Sequence, residues 1–185
     1  MAHSGRRFDL RSRTRQGHER LDAAVGVLAT LADYRRYVAC LGAFRAAMDR
    51  ALQDIAWPEG WNWRPTRIVD QLAQDAKDLG LPATRDRKAD VELTNLSALL
   101  GALYVLEGST LGAQVLRQRA AALGLDGDFG ARHLDHMSND IAQWRSFLLL
   151  LDGARDFDIE RAAASANDVF ALALRCFESE LLVEH

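Results

Sequence analysis

Three glycines interrupt one of the most apolar helical stretches of the chain. Residues 101–118 read Gly101-Ala-Leu-Tyr-Val-Leu-Glu-Gly108-Ser-Thr-Leu-Gly112-Ala-Gln-Val-Leu-Arg-Gln118, between strong helix formers. An interior glycine costs about 1 kcal/mol against alanine, so a helix with glycines at 101, 108 and 112 carries a heavy local penalty. Something must come close to this backbone. Gly108 and Gly112 lie four residues apart and share one face, a bare strip where no Cβ intrudes. The strip admits another helix or a flat ligand, and spacing alone favours the helix.

Helical periodicity dominates the remainder. Leu21, Val25 and Leu28, and then Tyr37, Leu41, Phe44, Met48 and Leu52, recur at three- and four-residue intervals. The spacing predicts helices over about 10–31, 34–55, 66–79, 91–123, 138–151 and 158–182. Gly80 and Pro82 close the third, and Gly124 closes the fourth. Trp57-Pro-Glu-Gly-Trp-Asn-Trp-Arg-Pro65 is a turn between helices, 83–90 is a charged connector, and 126–133 is a loop or short turn. No strand alternation and no internal repeat is visible. The expected fold is all-α, a single-domain helical bundle spanning 1–185, with residues 1–7 disordered.

Composition narrows the function classes. A chain of 185 residues can bury a proper core. A net charge of −3 favours neither nucleic acid nor an anionic membrane as a bulk partner. Of 23 basic residues only Lys77 and Lys88 are lysines, a bias that a GC-rich genome explains. Cys40 and Cys176 are far apart and fall in apolar helical patterns, which suits buried thiols rather than a zinc site or a disulfide framework. The N-terminus has no apolar run after its charges, and apolar runs such as 147–151 are too short to span a bilayer. A cytoplasmic location is the expectation. No P-loop, dinucleotide fingerprint or Ser-His-Asp signature is present.

The chemistry points to the first helix. Arg11, Arg15, His18 and Asp22 lie along one helical stripe. A helical histidine is ordinarily just a polar side chain; here an imidazole able to bind a metal has two permanent cations one and two turns away. That combination suits an iron porphyrin, whose iron takes an axial imidazole and whose propionates need cations.

These residues carry a family resemblance. Arg11-Ser-Arg-Thr-Arg-Gln-Gly-His18-Glu-Arg-Leu-Asp22 resembles the proximal-helix motif of the haem (heme) oxygenases. Tyr104-Val-Leu-Glu-Gly108-Ser-Thr-Leu-Gly112-Ala-Gln-Val-Leu116 resembles their glycine-kinked distal helix, in the bacterial biliverdin-producing branch. Gly130-Ala-Arg-His-Leu134, Trp144-Arg-Ser-Phe147 and the spacing of Phe170 and Phe177 are similar to that branch too, so the likeness covers about residues 8–180. The resemblance implies a haem sandwiched between a proximal and a distal helix, with His18 as the iron ligand. It implies that Arg11, Arg15 and, more weakly, Arg145 lie near the propionates, and that Tyr104 is among the cofactor-binding residues. Gly108, Ser109, Thr110 and Gly112 take the catalytic distal positions. Mammalian-type members carry an aspartate at the position of Ser109, so the proton-delivery network is left unassigned. The implied reaction opens the haem ring at a meso carbon to biliverdin, carbon monoxide and iron. It uses O2 and electrons from a separate reductase or ferredoxin-type donor, since no flavin or iron–sulfur signature is present.

Two other readings fit the same chain. A haem-binding sensor or carrier would use His18 without turnover. A helical enzyme handling thiamin pyrimidines would need a carboxylate and a nucleophilic cysteine, and neither Cys40 nor Cys176 has an acidic partner in motif. His133 and His136 lack a third ligand for a second metal site, and the Trp57, Trp61 and Trp63 cluster is better read as a packed turn than as a stacking platform.

Overall fold

The computed structural model describes residues 5–84 and 87–181. These form α1 (Gly5–Val25), α2 (Leu31–Gln53), α3 (Val69–Asp78), α4 (Leu96–Gly108), α5 (Thr110–Ala122), α6 (Arg132–Ser138), α7 (Ile141–Gly153) and α8 (Ile159–Leu181). Among the described residues the one β-type feature is an isolated bridge between Asp126 and Gly130. The fold is all-α.

Local chemistry sets the helix ends. Thr30 and Asp33 start α2 as a reciprocal capping box: Asp33 N donates to Thr30 Oγ1 at 3.1 Å, and Thr30 N donates to the Asp33 carboxylate at 2.9 Å. Asn95 starts α4 by accepting from Ala98 N at 2.9 Å. Gly80, at φ 64°, closes α3 as expected, with Leu81 N bonded back to Ala76 O.

The boundaries depart from the sequence reading in four places. The first helix ends at Val25 rather than near 31, because Gly26 and Leu28 both take positive φ. At the other end, residues 5–7 are helical, and Arg6 donates to the carbonyls of Leu151 and Ala154 at 2.6 and 2.8 Å; residues 1–4 of the expected disordered segment lie outside the described residues. The stretch 91–123 is not one helix: it begins at Leu96 and breaks at Ser109 into α4 and α5. Residues 132–138, read as the end of a loop and a link, form the short helix α6.

α4 is the centre of the bundle. Leu99, Leu100, Ala102, Leu103 and Leu106 are all buried, as is Glu107. Leu96–Ala122 is long and apolar enough to cross a membrane by composition, but 67% of its most apolar window is buried inside the protein. α4 packs on α8, and the register is explicit: Asp158 N donates to Ser97 Oγ at 2.9 Å, and Gly101 lies against Ala162. α1 packs on α8 in the same sense, with Arg13 paired to Glu160 at 2.6 Å and Gly17 against Phe170. α1 and α4 therefore run the same way along α8.

A Cβ on Gly101 would stand 1.9 Å from the Ala162 carbonyl oxygen, which belongs to rigid backbone. Gly101→Ala should therefore destabilise the protein by on the order of 2–3 kcal/mol through overpacking, despite alanine's better helix propensity. Thermal unfolding should show a Tm lowered by roughly 5–10 °C. A Tm unchanged from wild type would contradict the close crossing.

Candidate active site

The kink at Ser109 has a local cause. Ser109 keeps right-handed helical angles (φ −62°, ψ −24°), but its hydroxyl donates to Leu106 O and that of Thr110 to Glu107 O, both at 2.6 Å. Adjacent hydroxyls caught on the preceding turn bend a helix, and glycine at 108 removes resistance to the bend. Gly112 N then bonds Ser109 O, three residues back, rather than continuing the regular ladder. Thr110 is buried with its proton committed to the backbone; Ser109 is exposed, and its oxygen still offers lone pairs to solvent.

The three glycines of this stretch serve two ends. Gly101 is consumed by the crossing with α8. A Cβ at Gly108 would make only ordinary contact, 3.9 Å from the Trp144 ring, and at Gly112 it would meet nothing within 4 Å. Helix–helix packing, the simpler reading of the spacing, does not account for Gly112. Moreover Leu111 and Val115 are 50% and 52% exposed. Gly108, Leu111, Gly112 and Val115 follow the i, i+3, i+4, i+7 pattern of one helical face, so from the end of α4 along α5 runs an apolar stripe that is exposed at Leu111, Gly112 and Val115.

α1 brings the cations and the imidazole alongside. The Tyr104 phenol faces the Thr14 hydroxyl and the guanidinium groups of Arg7 and Arg11. Burial raises its pKa, against the pull of Arg7, Arg11 and Thr14. Because α1 and α4 run parallel, one further turn along each reaches His18 and Gly108, at the same end of the bundle. The His18 ring is exposed, with Nδ1 3.0 Å from Asp22 and its edge toward Phe170 at 6.0 Å. Gly17 makes that contact possible, since a Cβ there would lie 3.0 Å from Phe170 Cβ. With Nδ1 engaged by a carboxylate, Nε2 is left to bind a metal, the arrangement that fixes the tautomer and raises the basicity of a ligating histidine.

Arg15 is exposed beside Glu19, 4.0 Å away, and Arg145 stands on the solvent side of α7. Trp144, next to Arg145, packs inward on Tyr104 and Phe147 at 5.9 and 5.7 Å, with Arg7 over its ring at 5.7 Å. Sequence reasoning missed Arg7, Thr14, Gly17, Leu111 and Val115 as parts of this site. The signal for the last two was their spacing from the glycines, whereas Arg7 and Thr14 have meaning only once Tyr104 is opposite them. Trp57, Trp61 and Trp63 are partly buried against the core, as a packed turn requires.

A separate polar centre lies in the core. His133, fully buried, shares Asp75 with Arg132: His133 Nδ1 and N reach one carboxylate oxygen at 2.8 and 3.0 Å, and Arg132 the other at 3.1 Å. Burial pushes His133 below its ordinary value of 6.5 and outweighs the opposing pull of Asp75. Burial alone would raise Asp75, but the bonds from His133 and Arg132 reverse that and hold it ionised. His133 is thus neutral, and its Nδ1–H donates to the Asp75 carboxylate. His133 is buried on Asp75 whereas His136 is exposed, and among the described residues no group of three or more His, Cys, Asp or Glu side chains is placed to hold a metal.

Such a histidine binds a proton in the unfolded chain before it does in the fold. Stability should therefore fall as pH drops below about 6.5, by up to about 1.4 kcal/mol per pH unit. Urea unfolding between pH 7.5 and 5 should show this slope, and His133→Asn, which keeps a donor toward Asp75, should flatten it. An unchanged slope in the variant would assign the effect elsewhere.

An exposed imidazole one and two turns past two arginines, on a helix near an exposed apolar glycine face, is an arrangement that suits a porphyrin, and the comparisons with known proteins show the class. The haem oxygenase family model matches residues 70–179, more than half of the chain. The haem oxygenase PigA of Pseudomonas aeruginosa is 36% identical over 168 residues, covering 85% of this chain and 83% of that protein. A haem oxygenase of Xanthomonas campestris is 30% identical over 171 residues, covering 89% and 94%. The NO- and CO-bound haem oxygenase structure from Neisseria meningitidis matches with a TM-score of 0.71 at 25% identity, over 94% of this chain and 90% of that one. The chain belongs to the haem oxygenase family.

Proposed function

We propose that this protein binds haem between α1 and the α4–α5 kink and opens its ring at a meso carbon, yielding biliverdin, carbon monoxide and iron. Electrons come from a separate reductase or ferredoxin-type donor, and the setting is cytoplasmic. The observation that carries this reading is the exposed apolar stripe Gly108–Leu111–Gly112–Val115, with open space over Gly112. Bound haem supplies both the iron that activates dioxygen and the ring that is oxidised.

This chain's residues supply the surroundings. His18 Nε2 would hold the iron, with Asp22 on Nδ1 orienting the ring and Phe170 beside it. A neutral imidazole donates modestly to iron, unlike a thiolate, which favours O–O cleavage. Arg11 and Arg15 pair with the propionates and so help set which meso carbon faces the kink; Arg145 is a third, weaker candidate. Gly108 and Gly112 let the backbone approach the open face of the ring without a side chain above the iron. Ser109 provides no carboxylate, and its hydroxyl proton is held by Leu106 O, so it serves as an acceptor that orders water. Tyr104 stays a neutral phenol between Arg11 and Thr14, closing the inner end of the cleft.

Titration with hemin should produce a Soret band that ascorbate or a reductase under air converts to the broad red absorbance of biliverdin. A Soret band that persists under those conditions would instead support the sensor or carrier. His18→Ala should lose turnover while melting like wild type, and full turnover in that variant would remove the ligand assignment.

Gly112→Ala separates ligand contact from packing. With no protein atom within 4 Å of the added methyl, the apo protein should gain up to about 1 kcal/mol of helix propensity, while hemin affinity falls at least tenfold. A destabilised apo protein with normal hemin affinity would return this glycine to a packing role.

A further inference from the structure

At the kink, one residue before Gly108, the carboxyl of Glu107 is fully buried. It immediately precedes Gly108, and its backbone carbonyl takes the Thr110 hydroxyl. Its side chain meets one residue from the long loop before α3. Thr66 N donates to Oε1 at 2.8 Å, and Thr66 Oγ1 lies 3.3 Å from Oε2. The same Thr66 hydroxyl lies 3.1 Å from Oδ2 of Asp140, at the turn between α6 and α7. Asp140 also lines a solvent-open groove with Gln71, Arg132 and Asn139.

A hydroxyl has one proton and can donate to only one of two carboxyl groups. If both were ionised, one carboxylate would face the hydroxyl lone pairs with no proton between them, in a site closed to water on the Glu107 side. The guanidinium of Arg45 on α2, itself buried, acts on Glu107 from a distance, but its Nη2 is directed to the Thr66 carbonyl. Among the described residues the hydrogen bonds of the Glu107 carboxyl are to Thr66, whose N donates to Oε1 and whose hydroxyl oxygen lies 3.3 Å from Oε2. One additional proton completes the chain Glu107–Thr66–Asp140, as an acid O–H donated to the Thr66 oxygen while Thr66 donates onward.

We propose that Glu107 and Asp140 share one proton through the Thr66 hydroxyl, with Glu107 as the neutral acid, and that this buried tie is the positioning element that holds the distal kink against the 54–68 loop. Glu107 is a positioning residue: it acts on the ring-facing glycines through the helix it belongs to. Burial acts in the same direction, raising the Glu107 carboxyl, with the Asp140 charge adding to it and Thr66 and Arg45 opposing. The consequence for haem rests on the function proposed above; the shared proton does not.

The apo protein tests the proton. Infrared difference spectra at pH 7 should contain a protonated-carboxyl C=O band that disappears in Glu107→Gln. It should disappear also in Asp140→Asn, whose amide donates to Thr66 and frees Glu107 to ionise. An acid with a raised folded pKa loses stabilisation as pH rises from its unfolded value toward the folded one. Urea unfolding of wild type should therefore weaken across that alkaline-going window, and Glu107→Gln should remove this component. Absence of the band in wild type, or a band that survives Glu107→Gln, overturns the proposal whether or not the protein binds haem.

The hemin complex tests the positioning. Glu107→Gln, which keeps an acceptor for Thr66 N, should hold hemin affinity and turnover within about twofold of wild type, while Thr66→Val should weaken both at least fivefold with its Tm within a few degrees. Normal turnover in Thr66→Val overturns the positioning role. Failure of wild type itself to show a Soret band would instead remove the haem reading and leave the infrared result standing.

Discussion

The site depends on how closely α4 can lie against α8. At Gly101 the two helices approach until no Cβ fits, with the Ala162 carbonyl in the place a side chain would take. Neighbouring small residues extend the contact: Ala98 and Ala102 on α4, and Ala163 and Ala166 on α8, are all buried. This crossing fixes the level of α4 on the bundle, and α1, seated on the same helix through Gly17, inherits that level. Tyr104 thereby meets Thr14, and the next turns place His18 and Gly108 at one end. A bulkier residue at the crossing would shift the proximal and distal helices relative to each other, which a sandwich for a rigid planar ring cannot absorb.

The interior behind the cleft is more polar than the centre of a small helical bundle ordinarily is. Asp75 and His133 tie α3 to α6, and Glu107, Thr66 and Asp140 tie the distal helix to the loop before α3 and the turn before α7. Buried polar groups are costly unless their partners are in place, so each cluster penalises displacement of the helix it holds. The distal kink is thus held by buried polar bonds next to an exposed apolar face that carries two glycines.

Much of this was legible in the chain. The all-α class followed from periodicity, and Gly80 marks the end of α3 as its chemistry predicts, whereas Asn95, the cap of α4, was passed over by a reading that began this helix at 91. The stripe Arg11, Arg15, His18 and Asp22 was visible because residues four apart on a helix are neighbours in any fold; the His18–Asp22 contact is of this local kind. Less legible were the break at Ser109 and the helix at 132–138. The first depends on side-chain hydroxyls choosing backbone partners. The second is a single short helix whose N-terminal N–H groups are satisfied by Asp75, more than fifty residues away, rather than by a cap of its own.

By itself the sequence determined an interaction that needs only helical geometry: an imidazole with a carboxylate one turn on, and a glycine pair on a common face. Tertiary structure decided what each glycine is for. Gly101 and Gly112 have the same residue type in the same helical stretch, yet one is filled by a neighbouring carbonyl and the other opens on empty space. Spacing along a helix specifies which face a residue occupies, but what lies opposite that face is set by helices distant in sequence. Only their packing distinguishes a helix crossing from the wall of a haem cleft.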